Sequence, residues 1–198
     1  MMDQYFSQSP DVESNPQTWV YELRGRKFTF TTDNGVFSKS EVDFGSRVLI
    51  EAFDMPDIKG PILDIGCGYG PISLSLAAAY PERSVVGVDV NGRALELAKK
   101  NAEQNSVKNV SFKESDILAK ITDQRFAAIL TNPPIRAGKQ VVHQMFEEAK
   151  EALMPNGELW VVIQKKQGAP SAKKKLAELF AEVEVVTKAK GYFIFCAK

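Results

Sequence analysis

Residues 64–70 read Asp64-Ile-Gly-Cys-Gly-Tyr-Gly70, an acid followed by three alternating glycines. Glycine loses more conformational freedom on folding than any other residue, so such a run is costly unless backbone must approach a ligand closely. Apolar Pro61-Ile-Leu63 precedes it and the helical-looking Pro71-Ile-Ser-Leu-Ser-Leu-Ala77 follows. The stretch therefore predicts a strand, a tight loop and a helix N-terminus, a geometry that takes anionic or nucleotide ligands on exposed N–H groups. The spacing is Gly66-x-Gly68-x-Gly70, and Pro71 stands where the dinucleotide fingerprint G-x-G-x-x-G needs its last glycine. That departure disfavours a dehydrogenase.

Two further acids fall at the ends of predicted strands. Ser84-Val-Val-Gly-Val-Asp89 closes on a carboxylate that can accept hydrogen bonds from both hydroxyls of a ribose; the plainer reading makes Asp89 an N-cap for the helix after it. After the third strand, Glu114-Ser-Asp116-Ile117 offers a side chain to accept from an adenine amino group, with Ile117 packing on the ring; here the plainer reading is a turn acid.

A fourth strand, Ala127-Ala-Ile-Leu-Thr131, runs into Asn132-Pro133-Pro134-Ile135 on the same edge as the glycine loop. The prolines fix the backbone and remove two N–H donors, which leaves an acceptor-rich loop. The Asn132 side-chain oxygen and the Pro133 carbonyl can accept both hydrogens of a planar exocyclic NH2 group. Such hydrogen bonds free the nitrogen lone pair from the ring and stabilise the charge that develops on nitrogen during alkylation. Taken alone, the same residues could be a strand stop with a turn asparagine.

The elements that must position these groups follow from periodicity. From residue 61 onward, short Val/Ile/Leu runs alternate with amphipathic stretches, the pattern of an α/β fold with a parallel sheet and crossover helices. Strands are predicted at 61–65, 84–89, 109–113, 126–131 and 157–163, and helices near 71–79, 91–104, 138–152 and 170–180. The end changes character: 182–188 and 192–196 are strand-like runs joined by Lys190-Gly191, a closing antiparallel hairpin. Near the start, 18–23 and 27–31 alternate as a β-hairpin about Arg24-Gly25, and 41–53 has helical spacing. Residues 1–54 thus read as an extension of hairpin plus helix packed on a domain at 55–198, with 1–16 loosely ordered.

The 198 residues carry 25 basic and 25 acidic side chains, a formal charge of zero that argues against coating nucleic acid by bulk electrostatics. Local basic clusters at Arg24, Arg26 and Lys27, at Arg136 and Lys139, and at Lys165, Lys166 and Lys173 to Lys175 read as solvated faces or as binding patches. No apolar run approaches membrane-spanning length, and the first residues lack a signal-peptide pattern, so a cytoplasmic protein without membrane contact is expected. Cys67 and Cys196 lie far apart without partners at metal spacing, so no metal and no disulfide are expected. The single histidine, His143, reads as a surface or packing residue away from the motifs.

The set Asp64-x-Gly66-x-Gly68-x-Gly70, Asp89 and Asp116, all at strand ends, resembles the class I S-adenosylmethionine-dependent methyltransferases. The resemblance implies a Rossmann-like doubly wound sheet of seven strands in the order 3-2-1-4-5-7-6, strand 7 antiparallel. It implies S-adenosylmethionine as cofactor and S-adenosylhomocysteine as product. The glycines, with Cys67 between them, would line the methionine part, Asp64 would sit by its amino group, Asp89 with Val90 would take the ribose, and Asp116 with Ile117 the adenine. Asn132-Pro-Pro-Ile135 resembles the motif of enzymes that methylate planar amines of adenine, guanine or glutamine, with Ile where an aromatic ring is common. The longer string Asn132-Pro-Pro-Ile-Arg-Ala-Gly-Lys139, with Asn34-Gly-Val-Phe-Ser38 before Asp43-x-Gly45 and with Gln164-Lys-Lys-Gln-Gly168, is similar to the bacterial ribosomal RNA guanine-N2 methyltransferases of the small-subunit methyltransferase C (RsmC) group. That similarity implies a ribosomal RNA or ribosomal subunit as partner, held by Phe37, Arg136, Lys139, Lys165 and Lys166, and a monomer or homodimer. Larger members carry an additional N-terminal domain; without it, substrate selection is expected to use other surfaces or a second subunit.

Overall fold

The computed structural model describes residues 13–38 and 40–198. Strands β1 (Gln17–Leu23) and β2 (Arg26–Thr32) form the hairpin, and α1 (Phe44–Ala52) follows it. The sheet proper comprises β3 (Ile62–Ile65), β4 (Val85–Asp89), β5 (Val110–Glu114), β6 (Phe126–Thr131), β7 (Leu153–Gln164), β8 (Val183–Ala189) and β9 (Tyr192–Ala197). Its order is β5-β4-β3-β6-β7-β9-β8, and β9 runs antiparallel to both neighbours. This is the expected 3-2-1-4-5-7-6 arrangement, placed beside a two-stranded sheet.

The helices of the sheet are α2 (Pro71–Ala79), α3 (Gly92–Gln104), α4 (Lys139–Ala152) and α5 (Ala169–Leu179). Side-chain alternation along the buried strands divides the core into two layers. Ile62, Leu130, Trp160 and Ile194 point to the layer that holds Leu49, Leu74 and Leu97, whereas Leu63, Ile129, Val161 and Phe195 point to the layer that holds Val142, Phe146 and Leu176. So α1, α2 and α3 cover one face and α4 and α5 the other. Gly87 in β4 is demanded by packing: a Cβ there would stand 2.7 Å from the Phe112 ring and 2.9 Å from Ser73 Oγ.

The N-terminal extension is continuous with the first core layer. Leu23, Phe28, Phe30, Val36, Val42 and Phe53 are buried in it. The outer edge of β2 is satisfied by amides of α3 and its C-cap in place of a third strand: Thr31 N donates to Asn101 Oδ1 (2.7 Å), Asn101 Nδ2 donates to Thr31 O (3.0 Å), and Asn105 pairs with both backbone groups of Thr29 at 2.8 Å. Residues 14 and 15 are held as well, since Ser14 Oγ and Asn15 N both donate to Asp33. The rest of the segment expected to be loosely ordered that precedes them, 1–12, lies outside the described residues.

Two expectations shift. Strand β7 begins at Leu153 rather than 157, with a register break opposite Phe126 and Ala128. The basic pair Arg24 and Arg26 is structural: Arg24 Nη1 donates to the end carbonyls Ile50 O (2.9 Å) and Phe53 O (2.8 Å) of α1, and Arg26 Nη2 donates to Asn105 O (2.8 Å). Cations at helix C-termini both satisfy orphan carbonyls and complement the helix dipole.

Candidate active site

The glycine loop leaves β3 and enters α2 with Gly66, Gly68 and Gly70 at φ +74°, +55° and +96°. These are left-handed conformations that side chains with a Cβ adopt at a cost of order 1–2 kcal/mol. Nothing lies within 4 Å of where a Cβ on Gly66 or Gly68 would project, so bare backbone borders open space there. The loop is clamped from below, because Gly66 N and Cys67 N both donate to Val88 O, at 2.8 and 3.0 Å. Cys67 is buried, and burial pushes its thiol well above the usual range, which makes it a packing group rather than a nucleophile.

Asp64 is fully buried and lies beneath the loop. Its Oδ2 accepts from Ser73 N (3.0 Å) and Ser73 Oγ (2.5 Å), which supplies the side-chain cap that Gly70 cannot give α2. Asp64 Oδ1 is enclosed with no hydrogen-bond partner. Burial therefore raises the carboxyl to about 7, against the lowering effect of Ser73. Asp64, expected beside a ligand amino group, lies buried under the loop, where it tethers helix to strand.

Asp89 stands at the mouth. Its Oδ2 accepts from Gly68 N (2.8 Å) and its Oδ1 from Asn91 N (2.9 Å), so each oxygen keeps acceptor capacity for a diol. Desolvation raises its pKa. It is not the cap of α3; Asn91 is, accepting from Ala94 N at 3.2 Å. Val90 follows Asp89 at the same edge, and Asp116 is exposed beyond β5. Ile117 belongs to the second core layer and leaves little surface for a ring.

Above Asp89 hangs the loop of residues 33–38. Asn91 Nδ2 donates to Gly35 O (2.9 Å) and Arg93 Nη1 donates to Asn34 O (2.8 Å), which pins this loop over the start of α3. Phe37 on it is 60% exposed, against the alternative that it is a core residue.

The Asn-Pro-Pro turn faces the glycine loop from the end of β6. Thr131 Oγ1 donates to Ile65 O (3.0 Å) and so joins the ends of β6 and β3. Asn132 Nδ2 donates to Asp43 Oδ1 and to Ser46 Oγ, each at 3.1 Å, at the first turn of α1. Pro134 O accepts from Ala137 N (2.8 Å) in the single helical turn Ile135–Ala137. Among the described residues, neither Asn132 Oδ1 nor Pro133 O receives a hydrogen bond, so two acceptors stay open at this turn. Sequence reasoning missed Asp43 and Ser46 as neighbours of Asn132, although Asp43-x-x-Ser46 has the spacing of a helix cap.

Arg136 and Lys139 are exposed beyond the turn, and Lys165 and Lys166 are exposed where β7 ends. None of the four forms an ion pair among the described residues, unlike Lys175, which pairs with Glu147. Lys165 N donates to Gly191 O (2.7 Å), which brings the β8–β9 turn to the same rim; Lys190 there lies 4.9 Å from the Phe44 ring centroid. His143 is not remote from the motifs: with Ile135, Lys139, Gln167 and Ser171 it lines a cavity of about 120 Å³. Burial and the neighbouring Lys139 and Lys175 lower its pKa, so the ring is neutral at pH 7. No group of three or more metal-type side chains occurs among the described residues, and no helix there is long and apolar enough to cross a membrane.

Residues 27–196 match the methyltransferase small domain family. An uncharacterized protein YbxB of Bacillus subtilis (strain 168) is 59% identical over 100% of this chain and 99% of its own length. The ribosomal RNA large subunit methyltransferase G of Klebsiella pneumoniae (strain 342) is 33% identical over 78% of this chain. Among solved structures, the T. thermophilus 16S rRNA N2 G1207 methyltransferase (RsmC) in complex with AdoMet and guanosine superposes with a TM-score of 0.83, at 28% identity over 96% of this chain. The chain spans 43% and 52%, respectively, of those two enzymes.

Proposed function

The chain belongs to the methyltransferase small domain family, and from that premise we propose that it is an S-adenosylmethionine-dependent N-methyltransferase acting on the exocyclic N2 amine of a guanine in ribosomal RNA. The observation that carries this reading is the pair of open acceptors, Asn132 Oδ1 and Pro133 O, held across from a glycine loop whose backbone borders open space. The residues fit the cofactor. Bare backbone at Gly66 and Gly68 is a cradle that a Cβ would fill, Asp89 keeps acceptors for a ribose, and Asp64 fixes the loop by tying the start of α2 to β3. When bound, S-adenosylmethionine supplies an electrophilic methyl group on a sulfonium.

The chain's own contribution is orientation. Asn132 Oδ1 and Pro133 O accept the two N–H bonds of the amine, favour a tetrahedral nitrogen and direct its lone pair to the loop side. The same acceptors stabilise positive charge on that nitrogen, and the product ammonium is acidic enough to lose its proton to water. Removing one such preorganised group typically costs about 10²–10³ in kcat. Phe37, exposed on the loop at 33–38, and the exposed Arg136, Lys139, Lys165 and Lys166, which form no ion pair among the described residues, suit a base taken out of its stack with its phosphates alongside.

That the acceptor is guanine rests on the N2 specificity of the T. thermophilus relative. The two named enzymes act on different ribosomal RNAs, so the test must offer both. The protein is incubated with labelled cofactor and naked 16S RNA, naked 23S RNA, or either subunit, and the product is digested to nucleosides for mass spectrometry. N2-methylguanosine is expected in one arm and absent with Asn132→Ala. Label in adenine or in protein glutamine overturns the guanine assignment, and label nowhere overturns the RNA assignment.

A further inference from the structure

Asn132 and Asp43 are 89 residues apart in sequence, yet the structure joins them by one hydrogen bond, and that bond has a direction. Asp43 is the N-cap of α1, and its Oδ1 accepts from Ser46 N at 3.1 Å as a cap should. The same Oδ1 takes the Asn132 amide at 3.1 Å. A carboxylate only accepts, so the group facing it must be the NH2 of Asn132, and the amide oxygen is forced to the other side. Ser46 Oγ, 4% exposed as a residue, sits 3.1 Å from the same NH2.

An asparagine at the end of a strand has no such preference of its own. Its amide can turn over, and the flipped form would present NH2, a donor, to an amine that itself donates. The flip would convert the acceptor-rich turn into a repulsive one. We propose that Asp43, with Ser46, is a positioning residue: it locks the Asn132 amide with its oxygen towards the acceptor substrate and so couples the first turn of α1 to the Asn-Pro-Pro turn. This rests on the reading that Asn132 holds the substrate amine. It assigns to the N-terminal extension a part in turnover that its packing alone does not require.

The experiment separates orientation from capping. Asp43→Asn keeps an acceptor oxygen in reach of both Ser46 N and Asn132. Asp43→Ser keeps a good helix cap but is too short to hold the Asn132 amide. Expected is a wild-type kcat within about threefold for Asp43→Asn. For Asp43→Ser, kcat falls about tenfold, the weight of one hydrogen bond to a charged acceptor, while KM for RNA, cofactor affinity and melting temperature stay near wild type. In parallel, the side-chain amide resonances of Asn132, assigned by their loss in Asn132→Ala, are followed in the ligand-free protein. They are expected to be shifted and protected from exchange in wild type and Asp43→Asn, and clearly less protected in Asp43→Ser, where Ser46 Oγ alone remains as a partner. An Asn132 amide that already exchanges freely in wild type overturns the inference, as does Asp43→Ser turning over at the wild-type rate. If wild type methylates no RNA, the functional reading fails while the resonance measurement still decides the positioning.

Discussion

Replacing Asp64 by asparagine should change how the protein's stability depends on pH, and the size of the change follows from the buried carboxyl. Asp64 titrates at about 7 when folded, against an ordinary aspartate value of 3.8. Between those two values the unfolded chain has released its proton and the folded one still holds it. The native state therefore binds more protons, and stability must fall as pH rises through this window, by about 1.4 kcal/mol per pH unit, then level off above 7. From pH 5 to pH 7 the loss is about 2 kcal/mol, or about 4–8 °C in melting temperature for a chain of this size. Asp89, also raised by burial, contributes with the same sign, so the wild type alone would not isolate Asp64. The substituted amide keeps an oxygen for the two Ser73 donors and puts an uncharged NH2 where Oδ1 is enclosed; its cost is independent of pH. Urea unfolding of the ligand-free wild type and Asp64→Asn at pH 5, 6, 7 and 8 gives the difference directly. The wild-type advantage over Asp64→Asn should shrink by about 2 kcal/mol between pH 5 and 7 and stay constant from about pH 8 upward. A difference that is flat with pH would refute the reasoning, because it would mean that Asp64 is ionised throughout and that its enclosed oxygen finds a partner.

Other substitutions test the remaining parts of the site and its support. Asp89→Ala should weaken S-adenosylmethionine binding by about 10–100-fold, the loss of hydrogen bonds to a charged acceptor, read by calorimetry; an unchanged Kd would remove Asp89 from the ribose site. Asn101→Ala leaves Thr31 N, Thr31 O and Tyr69 O without their partner, at about 3 kcal/mol of stability, and native-state exchange should show the β1–β2 hairpin opening first. A loss below about 1 kcal/mol would mean that aromatic packing alone holds the hairpin. Charge reversal at Lys165 and Lys166 should reduce RNA affinity and lower the slope of log affinity against log salt by about 0.7 for each phosphate of a single strand that is no longer neutralised, without touching cofactor affinity. An unaltered slope would place the RNA elsewhere.

Most of the architecture is legible from local pattern. The strand-loop-helix at 61–79 announces itself because its apolar run, its glycines and Pro71 are adjacent in the chain, and each acts on backbone within a few residues. The alternation of buried strands with amphipathic helices gives the sheet, and the two helix-free runs at the end give the reversed strand. The start of β7 escapes local reading because Met154-Pro-Asn-Gly157 looks like a turn, and it does bulge from the ladder with Asn156 at φ +62°, while Leu153 ahead of it pairs with Phe126 of β6. Arg24 and Arg26 look like part of a binding patch, and nothing local says that they meet backbone carbonyls 26 and 79 residues away.

The site divides in the same way. Residue types and their spacing along single elements are enough to single out Gly66, Gly68, Gly70, Asp89 and Asn132 as candidates, because the chemistry proposed for them needs those types at strand ends. Which way each group faces is beyond reach of the sequence. That Asp64 lies under the loop with one oxygen enclosed, that Phe37 stands exposed, that His143 shares a cavity with Ile135, and that Asp43 accepts from the Asn132 amide are facts of packing between distant segments. The sequence alone determined which chemical groups line the sheet edge; only the tertiary structure decided their direction and ionisation, since burial and hydrogen-bond partners belong to the folded surroundings of a residue and not to its neighbours in the chain.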